Sequence, residues 1–238
     1  MKRFYTRAEV AKIEAGFSVT LDGRTVRTPA GHPLVLEHQA LAEAVAAEWL
    51  AQGETVKPHE MPMMQLASTA LDRVGPSRGV IVEQMMRYAG TDLLCYRADS
   101  PQDLVARQQA VWQPVLDWIE AQVGAAMPVT AGLLPVTPSD EAVAALQAHI
   151  SAYDDMQLTA LQNAVAAMGS LLLGIALVDG RLSAEEAFAA SQLDETYQIE
   201  LWGEDAEATQ RRATLRNDVA ASTRLLELCL PQYPPMRS

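Results

Sequence analysis

Aromatic residues make up only 5% of this 238-residue chain. Ala and Leu fill the apolar positions instead, a balance that favours helices over extended sheets. Cysteine is nearly absent: Cys95 and Cys229 are the two there are, and each sits among leucines. That spacing excludes a thiolate metal site and a disulfide framework, and the expectation is buried free thiols in a reducing compartment. The histidines, His32, His38, His59 and His149, are scattered, and each is expected to be solvated or to cap a helix. Basic residues are outnumbered, and the net charge of -12 excludes nucleic acid and disfavours an anionic membrane surface as partners. No apolar run is long enough to insert into a membrane; the longest, Leu171 to Val178, is far short of a bilayer span. Met1-Lys2-Arg3-Phe4-Tyr5 leads into a charged segment with no apolar stretch of a secretory signal, so a soluble intracellular protein is expected. G-x-x-x-x-G-K-[ST], G-x-G-x-x-G and G-x-S-x-G are all missing. No cofactor and no metal is expected, and no pattern is specific to an enzyme.

What is present is a hydrophobic content of 49%, enough for a substantial core. Gly16 to Leu21 alternates apolar and polar residues as a half-buried strand does. Asp22-Gly23 then supplies a type I′ hairpin turn, and Arg24 to Pro29 alternates again. Ala30-Gly31-His32-Pro33 is a second turn, followed by a short strand at Leu34 to Leu36. A helix is expected from about His38 to Gln52, with Leu41, Val45 and Trp49 on one face and Gly53 ending it. Glu54 to Pro62, broken by Pro58 and Pro62, reads as an edge strand or connector. Residues 1–62 are therefore expected to form a β-rich N-terminal domain, and 63–238 a helical C-terminal one.

The second part reads as a series of helices. Met63 to Val74 is stopped by Gly75-Pro76, Gly79 to Ala89 follows, and Pro101 to Gln122 carries Pro114, where a kink or break is expected. The stretch from Met127 to Pro138, with Gly132, is a loop or strand. Thr137-Pro138-Ser139-Asp140 opens a helix running to about Asp154. Thr159 to Val178 is apolar nearly all round and reads as one central buried helix, in which Ser170 lets neighbours pack closely. Ser183-Ala184-Glu185-Glu186 is a capping box, so the next helix starts at Ala184 and continues to Trp202, where Gly203 turns the chain. Asp205 to Leu230 is the last helix, and Pro231, Pro234 and Pro235 read as a frayed tail. The fold class is α+β, a small antiparallel sheet with a helix beside a larger orthogonal helical bundle.

On the helix before Gly203, Leu193, Tyr197 and Leu201 lie four apart and read as core. Glu195, Gln198 and Trp202 form a second stripe that combines a charge, an amide and a large ring. Such a stripe suits contact with a partner, although good helix formers on a solvated face would look much the same.

Taken in order, several fragments resemble the Atp12 family of assembly chaperones. They are Lys2-Arg3-Phe4-Tyr5, Val19 to Arg24 with Thr28-Pro29, Ala47 to Gln52, Met61-Pro62-Met63, Thr69 to Asp72, Tyr88 and Thr91 to Leu94. Trp112-Gln113-Pro114, Gly169 to Leu172, Leu193 to Gln198 and Trp202 to Asp205 continue the match. The resemblance implies a non-enzymatic chaperone that binds the free α subunit of the F1 sector of ATP synthase until β subunits replace it. It further implies that Glu195, Gln198, Trp202, Glu204 and Asp205 belong to a client-facing or interdomain surface, with Trp49 either there or in the core. No mitochondrial targeting extension precedes the match, so a bacterial protein of the cytoplasm is expected. The alternative is an enzyme or small-ligand binder with an acidic pocket at the domain junction, anchored by Asp194-Glu195 and Glu204-Asp205.

Overall fold

A computed structural model describes residues 2–131, 135–230 and 232–233. Gly132 and the tail prolines Pro231, Pro234 and Pro235 lie outside the described residues. The N-terminal layer is an antiparallel sheet built on a hairpin of β1 (Ala8–Ile13) and β2 (Gly16–Leu21), with Val10 opposite Val19. β2 also pairs with β3 (Arg24–Thr25) and β4 (Val35–Leu36). The turn from β2 to β3 has the positive φ of a type I′ hairpin at both centres, 47° at Asp22 and 81° at Gly23. β1 is not legible in the sequence. Its Glu9 and Lys12 break the apolar alternation, because this outer strand leaves most of its side chains partly or fully in water. The expected strand from Arg24 to Pro29 shrinks to two residues. Thr28 turns away from the sheet and its N–H bonds His32 O at 2.9 Å.

Helix α1 (Gln39–Ala51) lies on β1 and β2 and buries Leu41, Ala42, Val45 and Ala46. After a 3₁₀ turn at Pro58–Glu60 come α2 (Pro62–Thr69), a π-helical turn at Ala70–Val74, a 3₁₀ turn at Gly75–Ser77 and α3 (Arg78–Met86). The winding tightens over Gly75-Pro76 and is interrupted at Ser77, φ −127° and ψ 29°, before α3 starts. Helix α4 (Gln102–Val123) runs through Pro114 without a break, so of the expected kink or break the break is excluded. Pro114 and Ala110 are both exposed, so water can take over the Ala110 carbonyl that loses its N–H partner. β5 (Tyr96–Arg97) pairs in parallel with β6 (Thr130–Ala131) beside the bundle, a pairing the sequence did not suggest.

Helix α5 (Asp140–Ser151) is capped by Ser139, so Pro138 precedes the cap and does not occupy the first turn. The single helix expected over Thr159–Val178 is two helices, α6 (Asp155–Met168) and α7 (Leu171–Val178). Gly169 at φ 70° ends the first in the left-handed conformation, and Ser170 caps the second. Ser170, fully buried, is thus the cap of α7, a task its sequence reading did not name. Its Oγ accepts from Leu173 N at 3.0 Å and donates to Asp92 Oδ1 at 2.8 Å. Asp92, fully buried, also accepts from Leu94 N and Leu172 N, both at 3.1 Å. Burial pushes its carboxyl up to about 6 even against these donors.

The expected helix from Ala184 to Trp202 is likewise divided, into α8 (Ala184–Ser191) and α9 (Leu193–Trp202). The capping box of Ser183 and Glu186 is present. At the break Trp112 Nε1 donates to Ala190 O at 2.8 Å, while Phe188 O keeps the Gln192 N–H at 3.0 Å and also accepts from Ser191 Oγ at 2.8 Å. Helix α10 (Ala206–Cys229) then packs along α6. One hydrophobic cluster runs from Tyr5 to Cys229, with every residue of α7 buried at its centre. Both cysteines are buried and free. Among the described residues no helix is long and apolar enough to cross a membrane.

Candidate functional site

The α9–α10 elbow is held from behind by α4. Tyr197 donates its hydroxyl to Asp103 Oδ1 at 2.9 Å, Arg107 pairs with Glu200 at 2.7 Å, and Gln108 Nε2 donates to Asp194 at 2.8 Å. These contacts turn Leu193 and Tyr197 inward. Leu201 does not follow them. It is 56% exposed, and so is not the core residue its spacing suggested. Trp202 beside it is 78% exposed, which excludes packing against its own fold. Gly203, at φ 83°, reverses the chain where a side chain would be strained.

The acids around this tip divide by task. Asp205 caps α10, accepting from Ala208 N at 2.8 Å. Glu204 pairs with Arg212 at 3.4 Å, and Arg212 also donates to Thr196 Oγ1 at 3.1 Å. Glu195 and Gln198 are exposed and have no hydrogen bond or ion pair among the described residues. Asp194 and Asp205 are thus committed to Gln108 and to the helix end, and the acids do not converge on a common pocket. Among the described residues no group of His, Cys, Asp and Glu could hold a metal ion.

Trp49 belongs to a different surface. The face of α2 and the Arg27–Ala30 loop enclose a groove of about 710 Å³, floored by Trp49, Val56, Met61 and Met64. No residue of the elbow lines it. Asp72 fixes the loop, accepting from Thr28 Oγ1 at 2.7 Å and Ala30 N at 3.0 Å and meeting His32 Nδ1 at 3.0 Å. Burial would raise the Asp72 pKa, yet these hydrogen bonds outweigh it and hold the carboxyl below its ordinary value. Tyr5 donates to Trp49 O at 2.6 Å and meets the indole edge-on, 5.5 Å between centroids.

Beneath the groove, Glu48 of α1 accepts from the first free N–H groups of α2, Met63 N at 2.7 Å and Met64 N at 2.8 Å. It serves as an N-cap supplied from another helix. Burial raises its pKa above the ordinary carboxylate value despite those two donors. The junction groove therefore holds one carboxylate, Asp72, with Arg27 and Arg73 beside it, and is not the acidic pocket of the alternative reading. Sequence reasoning missed the tasks of Glu48, Asp72 and Asp92, although all three lie in the fragments that carry the family resemblance. Apart from Leu94 N, two residues from Asp92, their partners are 15 to 80 residues away, and no local pattern announces those.

Comparison with known proteins agrees with this architecture. The family model described as ATP12 chaperone protein matches residues 2–120, half of the chain. The crystal structure of Atp12 from Paracoccus denitrificans superposes with a TM-score of 0.90 at 38% identity, covering 95% of this chain and 97% of that one. The Atu1473 protein of Agrobacterium tumefaciens does so with a TM-score of 0.91 at 41% identity, covering 96% and 86%. The mitochondrial protein atp12 of Schizosaccharomyces pombe is 27% identical over 244 residues, covering 96% of this chain and 83% of its own length. With sequence and fold in agreement over nearly its whole length, the chain belongs to the ATP12 chaperone family.

Proposed function

We propose that this protein assists assembly of the F1 sector of ATP synthase by binding the free F1 α subunit and shielding its interface until β subunits take its place. Family membership supports the chaperone role, and the observation that carries a binding surface is Trp202, 78% exposed at the tip of a rigidly backed elbow. A large ring so placed loses little conformational entropy on binding and offers substantial apolar area. We assign Leu201, Trp202, Glu195 and Gln198 to direct contact with the client, and Glu204 and Asp205 to holding the elbow in shape. An unassembled ring subunit exposes apolar interface that aggregates, and a convex apolar tip can cover part of it. The net charge of -12 suits a client region of opposite sign, raising encounter rate and fixing register. We place this work in a bacterial cytoplasm, and read residues 1–62 and 63–238 as two units joined at the Glu48 cap.

The test is co-expression with the F1 α subunit of the same organism, without β. Soluble α that co-purifies with this protein and leaves it when β is added is the expected result. Insoluble α with no complex would overturn the reading. Alanine at both Glu195 and Trp202, in a variant with unchanged circular dichroism, should cut the yield of soluble α; full protection would remove those residues from the contact.

A further inference from the structure

The inward stripe of α4 runs through Gln108, Trp112, Val115, Leu116 and Ile119, which recur at helical spacing. Its first position holds an amide where an apolar side chain would pack, and Gln108 is only 1% exposed. An amide so buried needs partners, and these come from two distant parts of the chain. Gln108 Oε1 accepts at 2.8 Å from the N–H of Ala98, the residue that follows β5. Its Nε2 donates at 2.8 Å to Oδ1 of Asp194, in the first turn of α9. The backbone N–H can only donate, and an ionised carboxylate can only accept. A glutamine meets both demands at once. A glutamate would set a second acceptor against Asp194, and a leucine would answer neither group.

Helix α9 needs such an anchor, because the chain breaks at Gln192 and α9 takes no direction from α8. Of its three polar contacts with α4, the Arg107–Glu200 pair is about half exposed on both sides and so is screened by solvent. Tyr197 and Asp103 meet near the middle of α9. Gln108 bonds the first turn, where Leu193 also packs inward. From Asp194 the helix extends about 12 Å to Trp202, so a small change of direction at its start moves the ring at its end. We infer that Gln108 is a positioning residue of the elbow: by holding Asp194 it sets the direction of α9, and with it the place at which Trp202 meets a client. The inference rests on the proposed client contact for its consequence, and on the buried amide alone for the positioning.

The experiment follows amide hydrogen exchange by NMR in the free full chain, together with the yield of soluble F1 α in co-expression. Gln108→Glu keeps an acceptor for the Ala98 N–H but sets two carboxylates against each other. Amides of residues 197–202 should then exchange at least about tenfold faster than in the parent chain, with those of α7 unchanged. Soluble α should fall at least about threefold, because a contact no longer held in place has more freedom to lose on binding. Adding Asp194→Asn to Gln108→Glu inverts the polarity of the hydrogen bond and should return both readings to those of the parent. A residue that merely filled space would not be rescued in this way. Asp194→Ala, which leaves α4 untouched, should reproduce the faster exchange in α9. Unchanged exchange in α9 overturns the inference, as does equal acceleration in α7 or a double variant that fails to recover. Faster exchange in α9 with full protection of α overturns it too, since Trp202 would then work without a fixed elbow. If the parent chain itself leaves α insoluble, the chaperone reading fails by itself, and the exchange data still decide whether Gln108 positions α9.

Discussion

Two tryptophans mark two surfaces, and they differ in almost every physical respect. Trp202 stands on a convex tip, 78% exposed, with its neighbouring acids tied into a cap and an ion pair. Trp49 lies half-buried in a trough, its ring against Tyr5 and its indole N–H unpaired. A convex tip can gain only by being covered, so its contribution is apolar area. A trough encloses what it holds on several sides, so its shape can also select. The first surface suits broad shielding and the second suits recognition.

The largest effect that should separate them is on stability. Trp49→Ala removes a ring packed on the core and should cost about 2–3 kcal/mol in chemical denaturation. A cost near zero would place Trp49 outside the fold's own packing. Next comes the cap beneath the groove: Glu48→Gln leaves Met63 N or Met64 N facing an amide NH₂ and should cost about 1 kcal/mol.

The same substitution should change the pH dependence. Because burial raises the folded pKa of Glu48, the folded chain holds that proton more tightly than the unfolded one. Its contribution is full below the ordinary carboxylate value and is lost as pH rises through the raised one. Melting curves taken across that window should fall less steeply for Glu48→Gln than for the parent chain. Identical slopes would remove Glu48 as the cause. The smallest effect belongs to the tip, where Trp202→Ala should shift stability by no more than about 0.5 kcal/mol while lowering client yield. A large loss of stability there would mean that the ring supports the elbow from within, and the contrast between the two surfaces would collapse.

Which of this could be read from the sequence follows from the range of each interaction. The Asp22-Gly23 turn, the Ser183 capping box and the Asp205 cap are set by residues a few positions apart, and each lies where local pattern puts it. The breaks at Gly169-Ser170 and Gln192 were hidden because apolar periodicity continues through them. They depend on Asp92 and Trp112, which arrive from distant elements. Leu201 was misread for a related reason: four-residue spacing places it over Tyr197, but only the partner helix decides how far along α9 the covered face extends. The elbow was legible as a stripe. The groove was not, since it is assembled from the Arg27–Ala30 loop, α1 and α2.

The packing of α10 on α6 has a consequence for synthesis. Sheet, α1 and the start of α2 can join as soon as residue 64 has left the ribosome, because the Glu48 cap spans only 15 positions. The face of α6 that carries Asn163 has to wait for Asp218 and Ser222, which are translated 55 and 59 residues later. During that interval the face of α6 that carries Asn163 lacks the cover that α10 gives it in the finished molecule. At an elongation rate of about 5–20 residues per second the delay lasts several seconds. A member of a chaperone family thus passes through a stage in which part of its own fold stands uncovered, and its yield in the cell should depend on how quickly that last helix is delivered.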